Sequence, residues 1–214
     1  MHKKQNSKAL ITQAFLYTLL TIGLGLIIIL LSLNKFEVAI VLDLQSFLRG
    51  TIGIQLFYLI TYIGDFYIWT ALTIIYLIYS FIKLKKKKSQ ALELAIFFVL
   101  TTIITYFFKD ITNRPRPYQY SSDVMQYTVE DYSSYPSGHV SRAFGALLIL
   151  SNKSKAARYL SYVGVFLLAL SRIIVGAHYP TDTIGAIFLS LAALKISDYV
   201  MYFLENRGLI SKYL

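Results

Sequence analysis

The chain has 214 residues, 56% of them apolar and only 15% charged, with a mean hydropathy of +0.56. A soluble domain carries about 25% charged residues, so too few polar side chains are present to coat a water-facing surface; disorder is excluded and an ordinary cytosolic enzyme does not fit. Lys and Arg number 21 against 11 Asp and Glu, a net +10 that in so apolar a chain marks the cytoplasmic ends of membrane helices rather than a nucleic-acid partner, and the lack of Cys excludes disulfides, thiol catalysis and thiolate metal sites.

A spanning helix needs about 20 mainly apolar residues to cross ~30 Å of hydrocarbon. The first such run, Ile11–Leu33, follows Lys3, Lys4 and Lys8. It is too long for a signal peptide and lacks a small-residue cleavage site, so it reads as a retained span with a cytoplasmic N-terminus. Residues 51–82 are too long for one upright span and marginal for two, and they end in Lys83 and Lys85–Lys88. Basic clusters before the first span and after this stretch require an even number of crossings between them. Two crossings are the simplest solution, which puts the second span at about Asp65–Ile82. Segment 35–62 then lies outside or along the interface, partly as an amphipathic stretch.

Further spans are expected at Ala91–Phe108, Gly138–Leu150, Ala157–Val175 and Asp182–Phe203, the fourth being short in apolar residues. The expected fold is therefore all-α: a single domain over 1–214, an integral membrane bundle of six transmembrane helices with both termini in the cytoplasm. Sorting the basic residues tests this. Lys3, Lys4, Lys8, Lys83, Lys85–Lys88, Lys153, Lys155, Arg158, Arg207 and Lys212 fall inside, and Lys195 falls within the last span. Lys35, Arg49, Lys109, Arg114, Arg116, Arg142 and Arg172 fall at outer loops and outer helix ends, too many for orientation alone to explain. Residues 109–137, rich in Tyr, Ser, Asp and Pro, read as loop with room for a short helix. No P-loop, dinucleotide fingerprint, HExxH or EF-hand pattern occurs.

Three stretches concentrate the unusual residues: Lys109 to Arg116-Pro117; Pro136-Ser137-Gly138-His139; and Ser171-Arg172 followed by His178-Tyr-Pro-Thr-Asp182. The topology puts all three at the outer ends of spans three to six, where adjacent helices can join them in one pocket. Lys109, Arg116 and Arg172 are cations at or just above membrane depth, where an unpaired charge is expensive. Each alone could snorkel or pair with Asp110 or Asp131; together they offer forked and point charges suited to a phosphate dianion.

Pro136-Ser137-Gly138 opens directly into the fourth span, and amide groups at a helix start attract anions. Ser137 could equally be a simple cap. Of three histidines, His2 lies in the tail, while His139 and His178 lie in these stretches. Two imidazoles at neighbouring helix ends fit general acid–base and nucleophilic work. Pro180 suits the first helical position, which puts Asp182 in the first turn, able to fix the tautomer of His178. A metal site on His139, His178 and Asp182 is the rival chemistry, but the three cations would repel a metal ion and no further carboxylate cluster accompanies it.

Taken together, the stretches resemble the signature of the type 2 phosphatidic acid phosphatase superfamily, K-x6-R-P, P-S-G-H and S-R-x5-H-x3-D, matched in order and at its internal spacings across residues 109–182. The resemblance implies a phosphatase that uses no metal or other cofactor and works through a phosphohistidine. His178 would be the nucleophile, Asp182 its orienting partner and His139 the acid and then the base. Lys109, Arg116, Ser137, Gly138 and Arg172 would bind the phosphoryl oxygens. Arg114 and Arg142 lie outside the signature and would act behind it or on lipid head groups.

Because the chain spans a membrane, the resemblance points to the lipid phosphatases rather than the soluble acid phosphatases or vanadium haloperoxidases. The expected substrate is a polyprenyl diphosphate of the undecaprenyl or dolichyl type, with phosphatidylglycerophosphate or phosphatidic acid as the alternative. An outward-facing site suits recycling of a carrier released there. An anion-binding channel or transporter without hydrolysis and a structural protein with a decayed site are the other readings. Expected partners are the lipid substrate and membrane lipids, with no nucleic acid. The tail ENRGLISKYL has no dilysine or KDEL-type signal, which points to a prokaryotic plasma membrane with the active site on its extracytoplasmic side.

Overall fold

A computed structural model describes residues 7–83, 88–130, 133–151 and 154–210. Lys3, Lys4, Lys85–Lys87, Lys153 and Lys212, which carry much of the orientation argument, lie outside the described residues, as does Asp131. The secondary structure among the described residues is helical: α1 (Ser7–Leu30), α2 (Asn34–Leu48), α3 (Gly53–Thr61), a 3-10 turn (Tyr62–Gly64), α4 (Phe66–Ile82), α5 (Lys88–Thr112), α6 (Pro117–Tyr120), α7 (Gly138–Leu150), α8 (Lys155–Ile174) and α9 (Pro180–Asn206).

Among the described residues, four stretches are long and apolar enough to cross a membrane: α1, α5 through α6, α8 and α9. The α3 segment and α4, bent by 44° at their junction, make a fifth if the pair is one span. Helix α7 is 13 residues long, roughly 20 Å at 1.5 Å per residue, and does not reach across the hydrocarbon. The chain is an integral membrane protein by the composition and length of these helices. Large apolar side chains stand exposed along them, among them Phe15, Leu30, Ile75, Ile103 and Phe166, a pattern that water would oppose and lipid accepts.

Helix α9 packs on α1, α5 and α7, and α7 is enclosed by α4, α5, α8 and α9. Van der Waals packing, rather than expulsion of water, holds membrane helices together, so small residues sit where backbones meet. A Cβ on Gly145 would lie 2.1 Å from the Phe97 ring, and one on Gly185 would lie 2.3 Å from the Tyr135 ring. The main core gathers Trp69, Leu94, Phe97, Val140, Phe144, Leu168 and Ala193 around α7.

Segment 35–62 is the amphipathic part expected from the sequence, but its polarity is turned inward. On α2 the buried residues are Glu37, Val41 and Gln45, one stripe at four-residue spacing, while Phe47 is 82% exposed. Gln45 explains the stripe: its Nε2 donates to the carbonyls of Met125 (2.8 Å) and Ile174 (2.9 Å), and its Oε1 accepts from the Met125 N–H at 2.9 Å. This ties α2 to the loop before α7 and to the end of α8. Asp65 ends the turn after α3 and caps α4, accepting from the N–H groups of Tyr67 (2.8 Å) and Ile68 (3.0 Å). The bend lays the turn against α7, where a Cβ on Gly64 would lie 2.6 Å from His139 Cβ.

Candidate active site

The polar segment between α5 and α7 holds the short helix α6 and otherwise runs as loop. Asn113, at φ +39°, stops α5 in the left-handed conformation, and the chain then turns back on itself. The Arg114 N–H donates to Ser133 Oγ at 2.9 Å and the Ser134 N–H to the Arg114 carbonyl at 2.9 Å. Tyr135, fully buried, donates its hydroxyl to the Thr21 carbonyl of α1 at 2.6 Å. The Tyr135–Pro136 peptide is cis and leads into α7. Helix α7 begins at Gly138 and α9 begins at Pro180, the residues the sequence proposes for those starts.

The ends of α5, α7 and α8 and the loop before α9 meet at one cavity of about 530 Å³. Lys109, Arg116, Gly138, His139, Arg172 and His178 line it together, with Arg142, Glu130, Thr61, Tyr62, Asp65 and Phe66 among the other residues of its wall. The three stretches singled out in the sequence are thus joined in space. Asp182 lies behind His178 rather than in the cavity wall: His178 Nδ1 stands 3.3 Å from Asp182 Oδ2, which also accepts from the Tyr179 N–H at 2.9 Å. A carboxylate can only accept, so Nδ1 carries the imidazole proton and Nε2 is left with a lone pair. Nε2 lies 3.4 Å from Arg116 Nη1. Burial, reinforced by Arg116 and Arg172 and opposed by the Asp182 hydrogen bond, lowers the His178 imidazole to about 3. It is therefore neutral at physiological pH.

Ser137 is the residue ahead of α7, but its side chain makes no capping hydrogen bond, and its Oγ is buried without a hydrogen-bond partner among the described residues. Its N–H donates to the Asp182 carbonyl at 3.1 Å, joining the start of α7 to the start of α9. Ser137 does not itself line the cavity; Gly138 and His139, whose amides open the helix, do.

The cations have partners that sequence spacing does not indicate. Asp110 is exposed and pairs with none of them. Lys109 Nζ donates to the Ser133 carbonyl. Arg116 Nη1 donates to the Ala177 carbonyl at 2.9 Å, while Arg172 donates to Thr61 Oγ1 and pairs with Glu130. Glu130 also faces Arg116 Nη2 at 3.7 Å. Burial alone would raise the Glu130 carboxyl, but Arg172 and Arg116 reverse this and hold it at about 2.

Arg114 is the largest finding outside the signature. Fully within the fold, it donates to Asp182 Oδ1 (2.6 Å), Glu37 Oε2 (2.6 Å), Thr181 Oγ1 (2.8 Å) and Asn34 Oδ1 (2.8 Å), with its guanidinium 4.0 Å from the Tyr179 ring centroid. Glu37 in turn accepts the Thr181 N–H and hydroxyl, each at 2.7 Å. Arg114 therefore backs the His178–Asp182 pair rather than meeting lipid head groups. Glu37, Thr61 and Glu130 had no signal of their own: each is an isolated polar residue far from its partners along the chain. Among the described residues, no three His, Cys, Asp or Glu side chains are grouped as a cation site.

Residues 90–206, a little over half the chain, match the family model described as the PAP2 superfamily. Over 125 residues the chain is 29% identical to an undecaprenyl-diphosphatase of Sulfolobus acidocaldarius, a match covering 57% of this chain and 58% of that protein. The chain thus spans less than two thirds of that relative's length. Among solved structures, the fold resembles the first transmembrane PAP2 type phosphatidylglycerolphosphate phosphatase from Bacillus subtilis, with a TM-score of 0.75 at 20% identity over 94% of this chain and 99% of that one. It also resembles Aquifex aeolicus LpxE, with a TM-score of 0.63 at 26% identity over 76% and 94% of the two chains.

Proposed function

The chain belongs to the PAP2 superfamily, and from that premise we propose that it is a membrane-embedded lipid phosphatase, a polyprenyl diphosphate being its substrate. One observation carries the reading. Two imidazoles, one backed by a carboxylate, share a cavity with Lys109, Arg116 and Arg172. The diphosphate rests on the similarity to the undecaprenyl-diphosphatase of Sulfolobus acidocaldarius. The alternative substrates are phosphatidylglycerophosphate and phosphatidic acid.

In this reading 1–214 is one domain that crosses the bilayer six times, the fourth crossing being made by the short α7 together with the polar turn ahead of it. Both termini are cytoplasmic, and the active site opens on the extracytoplasmic side of a prokaryotic plasma membrane. The basic clusters named above support the orientation, and the cavity's four cations with Arg114 behind them account for five of the seven positive residues on the other side.

The chemistry follows from the protonation pattern. His178 Nε2 attacks the terminal phosphorus, forming an N–P bond as the bond to the leaving oxygen breaks. His139 donates a proton to that oxygen where it needs one. It then takes a proton from a water that attacks the phosphohistidine, which frees inorganic phosphate and restores the His178 lone pair. Asp182 holds the tautomer and stabilises the imidazolium-like charge. Lys109, Arg116, Arg172, Ser137 through its unpartnered hydroxyl and the Gly138 amide are assigned to the phosphoryl oxygens, whose charge they meet without a metal ion.

The test is phosphate release by the purified protein in detergent from matched lipid diphosphates and monophosphates, with excess EDTA present. His178→Ala is expected to abolish turnover while the protein stays folded, and an alkaline quench of the native protein should trap label on His178. Lipid phosphate binding without release would favour an anion carrier, and ordinary turnover by His178→Ala would end the nucleophile assignment.

A further inference from the structure

Arg142 sits on α7 three residues after His139 and lines the same cavity. It is 5% exposed. Its guanidinium carbon lies 5.3 Å from the Phe66 ring centroid. Gly138 leaves space for it: a Cβ there would lie 2.8 Å from Arg142 Nη1.

The other cavity cations hold carboxylate or carbonyl partners, as described above. Among the described residues Arg142 has no ion pair, and its Nε has no hydrogen-bond partner. Asp65, Glu130, Tyr106, Arg172 and His139 are among the titratable groups around it, and neither carboxylate comes within ion-pair distance. A buried cation without a counter-charge is expensive. The cavity it lines, about 530 Å³, exceeds what one phosphoryl group fills.

We propose that Arg142 is a second phosphoryl subsite, which makes the cavity a receptor for a lipid diphosphate: the terminal phosphoryl faces His178 and the lipid-borne phosphoryl meets Arg142. This rests on the phosphatase reading above. An arginine fork suits two oxygens of one phosphoryl group. When Nε2 of His178 bonds to the terminal phosphorus, the bond to the bridging oxygen breaks and its electron pair passes to the departing lipid monophosphate. The new charge spreads over the phosphoryl oxygens that Arg142 holds, so Arg142 helps the transition state more than the ground state. A lipid monophosphate, which loses an alkoxide instead, has no group to place there.

The experiment compares farnesyl diphosphate with farnesyl monophosphate, using the full chain in detergent. Arg142→Gln is expected to lower the ratio of their kcat/KM values by about tenfold or more, and Arg142→Lys, which keeps charge without the fork, to lower it less. In the native protein, methylenediphosphonate should inhibit at a concentration about tenfold below that of inorganic phosphate, which holds even if the Gln variant does not fold. A ratio unchanged by Arg142→Gln, or equal inhibition by the two anions, overturns the subsite and leaves the phosphatase standing. A native protein that frees phosphate from neither substrate removes the phosphatase reading and this inference with it.

Discussion

Glu130 stands between the two guanidiniums that an incoming phosphoryl group needs, paired with Arg172 and 3.7 Å from Arg116, its side chain only 20% exposed. Held at about 2, it is a carboxylate at any working pH. A unit charge about 4 Å from another interacts by roughly 4 kcal/mol at an effective dielectric of ~20, so a phosphate dianion and Glu130 cannot both keep those contacts without a large penalty. Glu130→Gln removes the charge and keeps the shape.

Part of the gain is offset, because the carboxylate can swing toward solvent and Gln still bonds. Vanadate, which resembles the pentacoordinate phosphorus, is nonetheless expected to bind about tenfold tighter or more, a difference of ~1.4 kcal/mol. The ligand-free variant should be less stable. A carboxyl held at about 2 rather than 4.5 contributes on the order of 3 kcal/mol at ~1.4 kcal/mol per pH unit. Because the folded value is depressed, that contribution is full above pH 4.5 and is lost as the pH falls toward 2. Thermal unfolding in detergent, with and without vanadate, reads both effects. A folded variant with the native vanadate affinity, or a weaker one, would refute the reasoning, since Glu130 would then remain in place beside the bound anion.

Two further outcomes are expected. His178, lowered to about 3 against its usual 6.5, should show no protonation in imidazole nitrogen shifts of the ligand-free protein between pH 8 and 5. The folded protein should lose stability through this group as pH falls below 6.5, since the unfolded chain takes up the proton first; a midpoint near 6.5 in the folded state would contradict the burial argument. Glu37→Gln leaves Arg114 buried with Asp182 as its one remaining carboxylate partner, and should lower stability by about 3 kcal/mol, with kcat falling more than KM changes as the backing of Asp182 loosens. Unfolding curves and initial rates check it, and a variant as stable and as fast as the native protein would show that Glu37 is dispensable.

Local information in the sequence was enough to locate the long apolar helices. Apolar runs between basic clusters anticipated α1, α4, α5, α8 and α9 to within a few residues, because insertion into lipid depends on the summed hydropathy of contiguous residues. Turn chemistry likewise anticipated that Gly138 and Pro180 open their helices, and the three short stretches hold Lys109, Arg116, Gly138, His139, Arg172 and His178, which share the cavity. Charge sorting was less informative, since Arg114, Arg116, Arg142 and Arg172 are buried for reasons unrelated to orientation.

What the tertiary structure alone decided is how those charges are compensated. Arg114 meets Glu37 across 77 residues of chain, and Arg172 meets Glu130 across 42. Nothing along the sequence separates Glu130 from Asp110 or Asp123 as the partner of a cavity cation, and nothing marks Arg142 as a cation without an ion pair among the described residues. Hydropathy is a sum over neighbours in sequence, whereas a buried charge is stabilised by whichever group folding brings to within a few ångströms, and that is settled only when the helices pack.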